Sequence, residues 1–443
     1  YAHIGNMRAY IFMDTLRKVL KYNGYKVKHV MNITDVGHLV SDADEGEDKM
    51  AKTARIENRS VYEIAKEYTD AFMKDIKALN IDTPEHIAKA TEHIREMEIY
   101  VNDIVKNGYA YETSKGVYFD TSKLPNYGKM LSNNNIDDLK AGARVEVDTE
   151  KRNPQDFALW IKAPKEHIMK WNSKWGLCYP GWHIECSAMS RKYLGDKFDI
   201  HTGGEDLIFP HHENEIAQSE ACNGEKFANY WMHNGFLNIN NKKMSKSAGN
   251  FFTVREIGEK YPLQVIRFFM LSAHYRTPLN FSDTLVESAK TGLDRILTAI
   301  DLCREMAAKE ETGSLSKEET EHFANIEVLV KKFEDAMEDD FNTADAVSAI
   351  FEIVRESNST VKDFSADYAK KILKVLEDLC SVLGIETTKE EEILDEEIEK
   401  LIEERQAARK NKDFARADEI RDQLLEQGIV LKDTREGVKW SRA

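Results

Sequence analysis

The sequence predicts an α/β protein whose second half is helical and which closes with a small α+β unit. Three observations predict this. Residues 7–22 place Ile11, Phe12, Leu16 and Leu20 near helical spacing. They lead into 25–32 (YKVKHVMN), whose composition suits a strand, so the two form half of an α/β crossover. From Pro262 to Gly384 the pattern is almost wholly helical. The last segment joins a helix through Ala417, Ile420 and Leu424, capped by Gly428, to a hairpin of 429–431 and 438–440.

The remaining elements follow in order. A strand feeding the loop at 1–6 is expected upstream of Tyr1. Residues 59–107 carry helical periodicity, and 109–112 and 117–120 flank a Ser114–Gly116 turn as a hairpin. Residues 121–155 are polar and irregular, and 156–182 are rich in Trp, Pro and Gly. A helix over 184–194 precedes a strand over 197–201 that runs into Gly203 and Gly204. Another helix follows over 210–222, then a strand-loop region over 231–252. The acidic run 390–399 is a solvated face, with Ile393, Leu394, Ile398, Leu401 and Ile402 as the buried stripe opposite.

Composition bounds the function. The 443 residues are 42% hydrophobic and 32% charged, the balance of a soluble globular chain, and no stretch reaches the roughly 20 apolar residues of a membrane helix. No secretory signal is expected, although the start reads as truncated. Five widely spaced cysteines (Cys178, Cys186, Cys222, Cys303, Cys380) argue against a disulfide framework and for a reducing compartment. The 62 Lys and Arg against 78 Asp and Glu leave a net charge of −16, so any RNA partner must be met by local basic patches.

Two short motifs point to phosphate chemistry. His3-Ile4-Gly5-Asn6 precedes a helix, where backbone N–H groups and the dipole favour an anion, and Gly5 permits close approach. Lys243-Met244-Ser245-Lys246-Ser247 places two ammonium groups on a loop, suited to a triphosphate in motion. Each motif alone has a plain alternative, a chance match or an exposed basic turn. Together they resemble the two signature sequences of class I aminoacyl-tRNA synthetases. That resemblance implies a Rossmann-type nucleotide-binding domain that binds ATP with its magnesium through His3, Gly5, Asn6, Lys243 and Lys246. The usual second histidine of the first signature is Asn6 here.

A third constellation suggests a metal. Cys186 lies in YPGWHIECSAMS, and His211 and Glu215 lie four apart in DLIFPHHENE on a predicted helix, so both face one side. Sulfur, nitrogen and oxygen donors of this kind suit zinc, although a surface pair and a core cysteine would give the same pattern. The stretches GWHIECSAM, HTGGEDLIFPHHENE, KMSKSAGNF, NITDVGHL and RNPQDFALW resemble cysteinyl-tRNA synthetases throughout. The resemblance implies one zinc per chain, with Cys186, His211 and Glu215 as ligands and a fourth, a cysteine, upstream of Tyr1. It implies that Thr34, Trp182, His183 and Asp206 line the cysteine pocket, with Gly203, Gly204 and Asp206 also toward ATP. Zinc binds thiolate far better than a hydroxyl, so it would separate cysteine from serine where packing alone discriminates poorly.

The same resemblance assigns tRNA(Cys) as a partner. Arg267 and Arg276 stand in VIRFFMLSAHYRTPLNFS, which is similar to the family's acceptor-stem linker. Arg409, Arg421 and Trp440 stand in the basic C-terminal end, similar to the family's anticodon-binding end, where an aromatic suits unstacked bases. The expected domains are a catalytic domain over 1–250 with an insertion near 60–165, a linker over 251–285, a helical bundle over 286–390 and an anticodon-binding domain over 391–443. A cytoplasmic monomer that ligates cysteine to tRNA with ATP is expected. A related ligase joining cysteine to an aminosugar would share the first half but not the basic end. A non-catalytic RNA-binding paralogue would not need KMSKS.

Overall fold

The computed structural model describes residues 1–36, 53, 56, 59–131, 150–165, 167–244, 250–310, 313–388, 390–410, 413–426, 429–434 and 437–442. Lys243 and Trp440 are described by backbone alone. The chain forms two compact units, 1–385 and 386–443.

Helix α1 (Ile4–Tyr22) buries Ile4, Met7, Ile11 and Leu16 along one face, as the spacing predicts. Strand β1 (Val30–Ile33) pairs in parallel with β2 (His86–Lys89) through α2 (Val61–Ala78), a β–α–β crossover. The helical pattern expected over 59–107 is therefore broken. Leu79 ends α2, Asn80 has φ 52, and Pro84 precedes β2, after which α3 (Ile94–Lys106) resumes. Residues 61–89 thus belong to the crossover. The excursion from the parallel fold is an antiparallel sheet in the order β3-β4-β5-β7-β6, running on past residue 165. Its strands are β3 (Ala110–Glu112), β4 (Gly116–Phe119), β5 (Phe157–Lys162), β6 (Trp171–Ser173) and β7 (Gly176–Pro180). Asp156 anchors its base by accepting from the Tyr111 hydroxyl (2.7 Å), Thr121 N (2.9 Å) and Asn153 N (3.0 Å).

Helix α4 (Trp182–Leu194) leads to β8 (Phe198–Gly204). A kinked turn (Ile208–His212), with Phe209 in extended backbone, leads into α5 (Glu213–Asn223), and β9 (Ala228–Asn234) returns parallel to β8. Then β10 (Leu237–Ile239) pairs antiparallel with β11 (Lys242–Lys243). After α6 (Val254–Gly258) and α7 (Leu263–Leu271), β12 (Leu279–Phe281) adds parallel to β10. The parallel framework is thus a set of pairs, and β1 and β8 line one cleft of about 1310 Å³.

Four helices follow: α8 (Asp283–Ala307), α9 (Lys317–Glu338), α10 (Thr343–Thr360) and α11 (Ala366–Val382). Their core is continuous with that of α1 and α7, from Met7 and Ile11 through Phe268 and Phe269 to Ile350 and Leu376. Arg267 sits inside this core at 0% exposure. Its guanidinium donates to the carbonyls of Leu79 (3.0 Å), Asn80 (2.8 Å) and Leu383 (2.8 Å), and to Asp14 Oδ2 (2.6 Å). The expectation that Arg267 touches RNA is therefore overturned: its donors are consumed inside the protein. Gly384, at φ 65, lies against that guanidinium, where a Cβ would collide with it.

The second unit packs α12 (Glu390–Lys410) on α13 (Phe414–Glu426), followed by the hairpin β13 (Ile429–Thr434) and β14 (Gly437–Arg442). Ile398 and Ile402 of the expected stripe meet Ile420, Leu424 and Ile429, with Leu401 at the margin. Ile393 and Leu394 have no described side chains, and Gly428 lies outside the described residues.

Candidate active site and metal centre

One end of the cleft is built by the start of α1. His3 is the N-cap: its Nδ1 accepts from Asn6 N (3.1 Å), and Asn6 Oδ1 accepts from His3 N (3.4 Å). A neutral imidazole that accepts at Nδ1 carries its proton on Nε2, so the cap fixes His3 as an Nε2–H donor. Asn6, which stands in place of a second histidine, uses its oxygen in this cap. The chain that follows the second signature, at 252–254, is clipped to the first. Ile4 N donates to Phe252 O (3.1 Å), Val254 N to Ala2 O (3.2 Å), and His3 bridges Thr253. A Cβ on Gly5 would stand 2.7 Å from Met244 Cε and 3.0 Å from His3 Nδ1, so glycine leaves room here for both side chains. Lys243 is placed by its backbone, paired with Asn238, and Lys246 lies outside the described residues.

Arg8, one turn into α1, was not foreseen. It is 3% exposed and donates to the carbonyls of Gly235 (2.8 Å), Phe236 (2.6 Å) and Tyr275 (3.3 Å). Burial pulls its guanidinium down to about 10, against the opposing charge of Glu205. It thus ties the cleft wall at 235–236 to α1. Gly203, Gly204 and Asp206 stand at the end of β8 on the same cleft, with His3, Gly5, Asn6, Trp182 and Cys186. A Cβ on Gly203 would come within 2.6 Å of His212 Cε1, so glycine there admits the imidazole.

The other end gathers the metal donors. Cys186 from α4, His211 from the kinked turn and Glu215 from α5 bring ligand atoms within 4.8 Å of one another. His211 Nε2 is 3.0 Å from Glu215 Oε1. That oxygen is fully buried and accepts no hydrogen bond. An orphaned buried carboxylate oxygen beside imidazole and thiol is what a bound cation would satisfy. Burial and the nearby charges of Glu215 and Glu185 push the Cys186 thiol well up, so a cation is needed to ionise it. Burial would also raise Glu215, but the charges of His201 and His211 and the His201 hydrogen bond to Oε2 outweigh it and hold the carboxyl well below its usual range.

Around these donors, Trp182 lies 4.4 Å from the His211 ring, centroid to centroid, and His183 Nδ1 is 2.8 Å from His211 Nδ1. Were His211 to ligate a metal through Nε2, its Nδ1–H would donate to His183. Gln218 of α5 donates to His183 O (3.0 Å) and Ser187 Oγ (2.9 Å), locking α5 onto α4. Thr34 is exposed and donates its hydroxyl to Glu185 Oε2 (3.2 Å), one residue from Cys186. A second cluster, His201, His212 and Glu215, was missed. Its signal was the second histidine of PHHENE and the lone histidine of DIHTGG.

The residues assigned to RNA stand elsewhere. Arg276 is exposed and paired with Asp340 (2.9 Å). In the second unit Arg409 and Arg421 are exposed, Arg421 holding Asp418 at 3.1 Å, and Trp440 pairs by backbone with Leu431. Among the described residues no helix is long and apolar enough to cross a membrane.

Comparison with known proteins agrees with this geometry. The model of the class I (C) tRNA synthetase catalytic domain matches residues 1–291, a DALR domain matches 332–387, and the cysteinyl-tRNA ligase anticodon binding domain matches 392–440. The cysteine–tRNA ligase of Lachnoclostridium phytofermentans is 54% identical over 100% of this chain and 93% of its own length. That of Clostridioides difficile is 48% identical over the same shares. Mycobacterium tuberculosis methionyl-tRNA synthetase in complex with methionyl-adenylate superposes with a TM-score of 0.56 at 15% identity, covering 86% of this chain and 87% of that one. At that identity it speaks for the fold alone. The capped phosphate loop, the clipped chain after the second signature, the thiol-imidazole-carboxylate cluster and these matches lead to one conclusion: the chain belongs to the cysteinyl-tRNA synthetases, class I enzymes that ligate cysteine to tRNA with ATP.

Proposed function

We propose that the chain selects cysteine at a zinc ion held by Cys186, His211 and Glu215, and joins the amino acid to ATP in the adjoining cleft. The observation that carries this is the convergence of those three donors around the orphaned Glu215 Oε1. When bound, zinc supplies a thiophilic Lewis-acid position that prefers thiolate to hydroxyl. Trp182 and His183 wall the amino-acid pocket beside it, with Thr34 steadying Glu185, and Asp206 receives the substrate amine or the ribose. The cysteine carboxylate attacks the α-phosphate in line, and pyrophosphate leaves with its magnesium. Gly5, Gly203 and Gly204 let the nucleotide approach the backbone. His3 donates through Nε2–H, and Lys243 and Lys246 stabilise charge on the departing phosphates. The cysteinyl-adenylate then passes its acyl group to the tRNA 3′ terminus. Arg276, Arg409, Arg421 and Trp440 contact the tRNA, and the enzyme works as a cytoplasmic monomer.

Metal analysis and pyrophosphate exchange test the reading. Full-length protein should carry about one zinc per chain, and Cys186→Ala should carry well under that. Chelated enzyme should lose its preference for cysteine over serine. Full cysteine-dependent exchange by a protein shown to be free of metal would overturn the proposal.

A further inference from the structure

The second histidine cluster raises a choice between another cation site and a support for the first. Ligand spacing decides it. Two donors on one tetrahedral zinc, each at about 2.05 Å, stand about 3.3 Å apart. His211 Nε2 and Glu215 Oε1, at 3.0 Å, are near that separation. His201 Nε2 and Glu215 Oε2, at 2.5 Å, are a strong hydrogen bond and too close to share a metal. His212 is engaged by His233, Nδ1 to Nε2 at 2.8 Å.

The two oxygens of Glu215 are therefore divided: Oε1 is orphaned toward Cys186 and His211, and Oε2 is held by His201. The His201 ring is itself fixed by edge contacts with Trp231 (4.6 Å), Phe227 (5.5 Å) and Phe198 (5.7 Å). We infer that His201 is a positioning residue for the metal: it lies outside the ligand set and orients Glu215 by donating Nε2–H to Oε2, so that Oε1 faces the ion. This rests on the zinc reading above. A carboxylate on a single-bonded stem rotates freely, and outer partners that stop such rotation are worth roughly 10–100-fold in metal affinity.

The test is zinc affinity of the full-length protein, by competition with a chromophoric chelator, for wild type, His201→Ala, His201→Gln and His201→Asn. His201→Ala should bind zinc roughly 10–100-fold more weakly. His201→Gln should recover much of the loss, because its amide nitrogen is as many bonds from Cα as the imidazole Nε2. His201→Asn, one bond shorter, should not. An alanine variant within about twofold of wild type would overturn the inference, since losing an outer partner costs at least tenfold. If the alanine variant fails to fold, equal affinities for the glutamine and asparagine variants would overturn it. Wild-type protein without zinc affinity would instead remove the metal reading, and this inference with it.

Discussion

Replacing Arg267 by methionine would strip four hydrogen bonds from three separate segments at once. Asp14, its buried ionic partner, would keep only Lys18 (3.0 Å) and the Asp82 N–H (3.0 Å). Breaking one side of a buried pair costs about 3–5 kcal/mol, mostly because the other charge stays behind. Arg267→Met should lower urea-unfolding stability by that order, and adding Asp14→Asn should restore part of it. A single variant within about 1 kcal/mol of wild type would show that the guanidinium holds nothing together. Residues of this kind were illegible in the sequence. In VIRFFML an arginine that feeds interior carbonyls looks the same as one that reaches for phosphate, because the carbonyls come from residues 79–80 and 383. His211 and Glu215 were legible as a pair because four residues along a helix put both on one face. Cys186, well upstream of them, was joined to the pair by resemblance before the structure brought the three together. His201 was not legible, because its partner is another side chain fourteen residues on.

Glu319 makes the same point for elements. Its Oε2 accepts from Ser316 N (2.7 Å) at the start of α9, and its Oε1 from Ser365 N (2.5 Å) at the start of α11. One carboxylate thus caps two helix N-termini, where negative charge is favoured. Burial would raise this carboxyl, but the Ser365 and Ser316 hydrogen bonds bring it down to about 2. A depressed folded pKa contributes stability above the unfolded value, near 4.5, and loses it as pH falls toward about 2. Glu319→Gln should therefore melt about 2–4 °C below wild type at pH 7, with the gap closing as pH drops toward 3. Parallel melting curves across pH 6 to 3 would sink this account. The helices themselves were readable from apolar spacing, and the S-x-x-E box at 316–319 was there to be seen. The second helix on the same carboxylate was not, since only packing brings residue 365 to it. The break at Asn80 and Pro84 carried a signal that helical periodicity on both sides concealed.

At the scale of the whole molecule, the cleft is lined by residues of the first unit, while the second has its own core of Ile398, Ile402, Ile420, Leu424 and Ile429. Deleting 386–443 should leave cysteine-dependent pyrophosphate exchange largely intact and lower tRNA charging roughly tenfold or more, the worth of one strong contact. Unchanged charging would remove the second unit from tRNA recognition, and a parallel loss of exchange would give it a role in the first unit's fold. Several surface arginines are already paired. Arg276 already grips Asp340 at 2.9 Å, Arg416 holds Glu404 at 2.9 Å and Glu419 at 2.8 Å, and Arg421 holds Asp418 at 3.1 Å. A phosphate arriving at these arginines would have to share or displace a resident carboxylate, so the gain per contact would be smaller than at a bare cation. On a chain of net charge −16, that makes stray nucleic acid a poor competitor. Only a strand that matches the surface at many points together collects enough small gains to stay.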